Sequence, residues 1–120
     1  MDAKTALARQ GEELAAKHLA ANGYTVLKRN VRIGQGEIDL IARKGEYLVF
    51  VEVKTRTSLF LTDPVQLVPP LKQRQLVRLA DHFLKNNSDG SPARFDVVIV
   101  VHNATLTRIE HIEDAFYPMG

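Results

Sequence analysis

Residues 36–56 read GEIDLIARKGEYLVFVEVKTR, a stretch that two strands and a tight turn account for. EIDLIA (37–42) and YLVFVEVK (47–54) are rich in β-branched, aliphatic and aromatic residues, and the turn signal RKGE (43–46) lies between them. Side chains alternate along a strand, so Leu48, Phe50, Glu52 and Lys54 share one face while Tyr47, Val49, Val51 and Val53 share the other. Both faces are largely apolar, which places this strand at the centre of a sheet covered on both sides. Glu37, Asp39, Glu52 and Lys54 interrupt that pattern, and burial makes each of them costly.

A two-residue turn at Lys44-Gly45 would pair Arg43 with Glu46, setting Asp39 opposite Phe50 and Glu37 opposite Glu52. Glu37, Asp39 and Ile41 then share a face, and any even-length turn brings Asp39, Glu52 and Lys54 out on the same side. Opposed residues on such a pair lie about 5 Å apart and diagonal ones about 7–8 Å. Carboxylates at that spacing repel, and desolvation adds to the conflict. A divalent cation resolves it, because Mg²⁺ takes oxygen ligands from one or two carboxylates together with water and phosphate. Lys54 would then hold an attacking water or stabilise phosphate charge. The residues by themselves also allow an ordinary Glu52–Lys54 ion pair, with Glu37 and Asp39 at a solvated strand end.

Outward from this hairpin, Ala3–Asn22 reads as a helix stopped by Gly23, and YTVLKRNVRI (24–33) as a strand. Gly34 and Gly36 are turn glycines, since no helix follows them to complete a phosphate loop. After the connection Thr55–Pro69, which contains Asp63-Pro64, Pro70 opens a helix running to about Lys85. NNSDGSP (86–92) is a turn-rich loop, RFDVVIVV (94–101) a fourth strand and TLTRIEHI (105–112) a fifth. The order α-β-β-β-α-β-β predicts a central mixed five-stranded sheet flanked by helices, in one α/β domain spanning residues 1–120.

At 120 residues the chain has room for one real core, and its 45% apolar and 25% charged content suits a globular domain. Cysteine is absent, which excludes disulfides and thiolate metal sites. The charges spread through residues 1–24 leave no apolar signal or membrane segment, so the expected location is cytoplasmic, with no membrane partner. A net charge of +2 permits a polyanionic partner without requiring one.

Asp39, a hairpin turn and then hydrophobic-E-x-K resemble the PD-(D/E)xK nuclease superfamily of restriction enzymes and Holliday-junction resolvases. GEELAAKHLAANGY (11–24), GEIDLIA (36–42), LVFVEVKTR (48–56) and RFDVV (94–98) resemble the bacterial YraN family of endonuclease-like proteins over nearly the whole chain. Where the superfamily has a proline before its aspartate, this chain has Ile38. The resemblance implies a restriction-endonuclease-like domain that cleaves DNA, branched or damaged DNA in particular, with Mg²⁺ or Mn²⁺ as cofactor. It makes Asp39, Glu52 and the Val53 carbonyl metal ligands and Lys54 the catalytic lysine. Resolvase-like members also carry a glutamate on the first helix, and Glu12 matches it.

At about 100° per residue, Leu7, Ala8, Leu14, Ala15 and Leu19 define the apolar face of that helix, with Glu12 at its edge and Glu13 pointing away. His18, on the apolar face, reads as a partly buried, hydrogen-bonded histidine. Lys72 falls inside the apolar arc of the second helix and matches a basic position of the family. Lys28, Arg29, Arg32 and Arg56 surround the site in sequence, as phosphate contacts or as plain surface charges. Arg94 and Asp96 share a strand face as an internal ion pair, or Asp96 supports the site electrostatically, as Glu37 would. A nuclease this small would reach two strands as a homodimer. The alternative is a non-catalytic module in which a nuclease-like fold holds nucleic acid or a protein partner.

Overall fold

The computed structural model describes residues 2–58, 68–87 and 90–116. Helix α1 (Ala3–Ala21) starts at Asp2, whose Oδ1 accepts the Thr5 N–H at 2.8 Å. It stops in a paired turn: Gly23 takes φ +88, the Tyr24 N–H reaches the Leu19 carbonyl and the Gly23 N–H the Ala20 carbonyl. Then follow β1 (Thr25–Ile33), β2 (Gly36–Lys44), β3 (Tyr47–Arg56), α2 (Pro70–Asn87), β4 (Ala93–His102) and β5 (Thr107–Phe116). The expected element order and mixed five-stranded sheet are present, and the strands lie side by side in chain order.

β3 is the middle strand, as its two apolar faces require. It pairs antiparallel with β2 and parallel with β4. A parallel neighbour needs a crossover, and α2 occupies it. α1 covers one face, where Ala15, Ala16 and Leu19 pack on Leu40, Ala42, Val49, Val51, Val98 and Val100. α2 covers the other, where Leu76, Leu79, Ala80 and Phe83 pack on Ile38, Ile41, Leu48, Phe50, Phe95 and Val97. Phe50 stacks on Phe95 and Phe95 on Phe116, with ring centroids 5.6 and 5.2 Å apart. Burying each such ring contributes roughly 1.5–3 kcal/mol.

Three expectations need correction. The β2–β3 turn is Gly45–Glu46, so Lys44 pairs with Tyr47 and Ile41, not Asp39, lies opposite Phe50. The register moves by two residues, parity survives, and Asp39 comes level with Glu52. Gly45, with φ +56, supplies the left-handed conformation that the shifted turn needs. The second correction is that Glu37 and Ile41 do not share a face. Ile38 and Ile41, three residues apart, both pack under α2, so β2 changes face between them. Asn30 marks the same place in β1: it lies between the pairs Arg29–Leu40 and Val31–Ile38 and takes φ +52, a value asparagine tolerates. Third, β5 begins at Thr107, two residues later than its sequence pattern, and ends four residues later, because a bend at Asp114 (φ +52) lets it continue to Phe116.

β3 extends through Arg56, and α2 through Asn87. Asp63-Pro64 and part of the Asn86–Pro92 loop lie outside the described residues. Among the described residues no helix is long and apolar enough to cross a membrane.

Candidate active site

The β2–β3 ladder runs from Lys44–Tyr47 to Leu40–Val51. One step further, the Val53 N–H is donated to Asp39 Oδ2 at 2.8 Å, so a side chain has taken the place of a backbone acceptor. The strands part at that point, and Glu52 projects beside the opening. It is buried, at 6% exposure, and its Oε2 has no hydrogen-bond partner among the described residues. A buried carboxylate oxygen left without a donor costs roughly 1–3 kcal/mol or more, so the site asks either for a proton shared with Asp39 or for a cation. Burial, together with the Asp39 charge, pushes Glu52 up to about 8, against the pull of Lys72 and Lys54. Lys54 Nζ stands 3.8 Å from Glu52 Oε1, and the half-buried Lys72 approaches from the first turn of α2.

The kink that turns β2 over delivers Glu37 to the opposite face, beneath α1. There Glu12, Glu37 and Asp39 each offer a carboxylate oxygen within 4.8 Å of the other two. Burial and the neighbouring Asp39 raise the Glu12 pKa, and the Asn30 side chain opposes this by hydrogen bonding to it. Asp39 therefore touches both groups, Glu52 on one side and Glu12 with Glu37 on the other. Glu13 is exposed and pairs with Arg29.

Gly11 allows α1 to come this close. A Cβ at residue 11 would lie 2.9 Å from Thr55 Cβ and 2.8 Å from its Cγ2, on the strand that carries Glu52 and Lys54. In an exposed helix Gly→Ala stabilises by about 0.8–1 kcal/mol. Here Gly11→Ala is expected to destabilise by about 1–3 kcal/mol in urea unfolding, because α1 must lift away from β3.

The cavity on the α1 side has a volume of about 490 Å³ and is lined by Glu12 and Glu37, with Arg9, Arg29 and Arg32 among its cations. Arg32 Nε stands 3.6 Å from Glu37. Arg56 is exposed where β3 ends, its guanidinium donating to the Thr55 carbonyl. Asp39 thus stands between two groups, Glu52 with Lys54 and Lys72 on the α2 side and Glu12 with Glu37 on the α1 side. Its Oδ2 is held by the Val53 N–H, and Arg29 and Arg32 line the α1-side cavity. Arg9 and Asn30 also belong to this neighbourhood. Sequence reasoning passed over both, although Asn30 inside a strand pattern was a signal.

The family model described as "Uncharacterised protein family UPF0102" matches residues 11–100. The chain belongs to the UPF0102 family. A UPF0102 protein of Anaeromyxobacter dehalogenans is 46% identical over 116 residues, covering 96% of this chain and 87% of the relative. One of Chlorobium chlorochromatii is 44% identical over 92% of this chain and 91% of the relative. One of Christiangramia forsetii is 37% identical over 92% and 93%.

This UPF0102 protein holds a second polar centre, on the α1 face, that is separate from the carboxylates. Asp96 is completely buried and accepts from Arg94 Nε (2.9 Å) and Nη2 (2.7 Å), His111 Nε2 (2.7 Å) and the Asp114 N–H (3.0 Å). Burial works against its ionisation, but these donors outweigh it and hold the carboxyl below the usual aspartate range. Burial and a hydrogen bond to Glu113 push the Tyr24 phenol up to about 12. His18 sits edge-on to His111. Of the two readings of Asp96, the internal ion pair is the one that forms. Its charge is met by Arg94 and His111 rather than turned toward Glu52.

Proposed function

We propose that this UPF0102 protein is a Mg²⁺- or Mn²⁺-dependent nuclease that hydrolyses phosphodiester bonds of DNA, branched or damaged DNA in particular, on a restriction-endonuclease-like fold. The observation that carries the reading is the buried Glu52 carboxylate, with an unpartnered Oε2, facing Asp39 where the two strands separate. The similarity of GEIDLIA, LVFVEVKTR and RFDVV to the PD-(D/E)xK nucleases and the YraN family supports it.

The donor set fits a hard divalent cation. It is all oxygen, and on the α1 side Glu12 and Glu37, whose oxygens gather with one from Asp39, line a cavity with room for water and phosphate. Asp39 and Glu52 would hold the ion together with the Val53 carbonyl, and Glu12 and Glu37 close the cluster beneath α1. When bound, such an ion supplies Lewis-acid polarisation of a phosphoryl oxygen and a more acidic water. Lys54 offers three donors and no acceptor, so it anchors the phosphate or the attacking water while Glu52 holds it in place. Lys72 adds positive charge from the α2 side. Glu12, gathered with Asp39 at the edge of the α1-side cavity, is placed to take the proton leaving that water. Arg9, Arg29 and Arg32 surround the acidic floor with charge of the sign that draws a polyanion.

Titration calorimetry with MnCl₂, paired with cleavage of linear, nicked and four-way-junction DNA, tests the proposal. Wild type is expected to bind Mn²⁺ and cleave, and Asp39→Asn to do neither. Lys54→Ala is expected to keep the metal and lose about 100- to 1,000-fold in rate, the effect of removing one transition-state donor. Wild type that binds DNA but neither takes up Mn²⁺ nor cleaves would make the chain a non-catalytic nucleic-acid module.

A further inference from the structure

A second groove, of about 460 Å³, lies on the opposite face of edge strand β1 from the acidic cavity. Val31, Ile33 and Phe83 form its apolar floor, and Lys28, Arg29 and the exposed ring of His82 stand at its rim. Among the described residues its lining includes no carboxylate. Lys28 and Val31 pair with Ile41 and Ile38, residues of the α2 face, whereas Arg29 and Arg32 turn toward α1. Arg29 lines both hollows, so they adjoin across the width of one strand. Its ion pair with Glu13 is half-exposed on both sides, and such a pair exchanges for another anion at little cost.

We infer that this groove binds an unpaired segment of nucleic acid, which passes from the acidic cavity around β1 and lays a base on the Val31–Ile33–Phe83 floor, with its phosphates on Lys28 and Arg29. The inference rests on the nuclease reading for what occupies the acidic cavity, and it adds the substrate form. Aromatic side chains in a positively charged groove are the recognition mode for single strands, since every base has a face to stack and every linkage a charge, and His82 and Phe83 supply the rings here. Duplex DNA, with a persistence length of about 50 nm, cannot turn across one strand's width, whereas a single strand can. The occupant is therefore single-stranded at that point, as in a flap or the arm of an opened branch.

The test is fluorescence anisotropy in EDTA, with labelled oligothymidylate and with a duplex of the same length. The proteins compared are wild type, the exposed pair Lys28→Glu/His82→Glu, and Arg108→Glu on the far edge strand. Wild type is expected to prefer the single strand, and the groove pair to lose about tenfold of that affinity while Arg108→Glu keeps it. Mn²⁺ uptake by the groove pair is expected to match wild type. Equal affinity for single strand and duplex, or a groove pair no weaker than Arg108→Glu, overturns the inference. Because these measurements exclude metal, failure of wild type to bind Mn²⁺ sinks the nuclease proposal and leaves the groove to be judged on its own result.

Discussion

Glu52→Gln is expected to stabilise the metal-free protein by on the order of 2–4 kcal/mol near pH 8, and in the same molecule to abolish Mn²⁺ uptake. Burial and Asp39 raise the folded-state pKa of Glu52 from 4.5 to about 8. Between those values the folded protein keeps a proton that the unfolded chain releases. Its contribution to stability is complete below the unfolded value and is lost as pH rises through the folded one. Urea midpoints of wild type in EDTA should therefore fall from about pH 5 to about pH 8.5, and those of the glutamine variant should stay flatter. Mn²⁺ should reverse the fall in wild type, by about 2.7 kcal/mol at a hundredfold excess over its Kd. A variant less stable than wild type at pH 8, with Mn²⁺ binding intact, would show that Glu52 is a structural partner of Lys54 and defeat the metal reading.

Asp96→Asn is expected to cost about 3–5 kcal/mol, measured by the same unfolding, and to leave Mn²⁺ binding unchanged. The asparagine would leave Arg94 as a nearly buried cation, 12% exposed, without its counter-charge. The sign of the pH effect is opposite to that of Glu52. The folded pKa of Asp96 is depressed below 3.8, so its contribution is present above that value and is lost as pH falls through the lower one. Wild type should therefore lose stability in acid on account of Asp96, a limb the variant lacks. An Asp96→Asn protein with wild-type stability and no Mn²⁺ uptake would return Asp96 to the metal site.

Much of the arrangement was legible beforehand because it depends on periodicity. The apolar residues on both faces of Tyr47–Lys54 required a central strand, and two-residue alternation holds along the ladder from Lys44–Tyr47 to Leu40–Val51, ending short of Asp39, where β2 changes face. Helical angle separated Glu12 from Glu13, and the first is inside the cluster while the second faces solvent. The turn was misplaced by one residue because Lys44-Gly45 and Gly45-Glu46 are both acceptable turns. Their choice falls to the register that best buries Ile41 and Phe50 against α2. The length of β5 was missed because Asp114 adopts left-handed backbone, and its N–H is held by Asp96 from a strand away in sequence.

Local pattern alone determined the element order, the middle strand and the placing of Glu52 and Lys54 on one face of it, since each follows from which side chains a helix or strand turns the same way. Tertiary structure decided what the acidic residues face. The paired distortion at Asn30 and Asp39 rolls Glu37 under α1 while Glu52 stays toward α2, leaving Asp39 between the two groups. No periodicity encodes that roll, because it arises where two strands accommodate each other and a helix that Gly11 lets settle against Thr55.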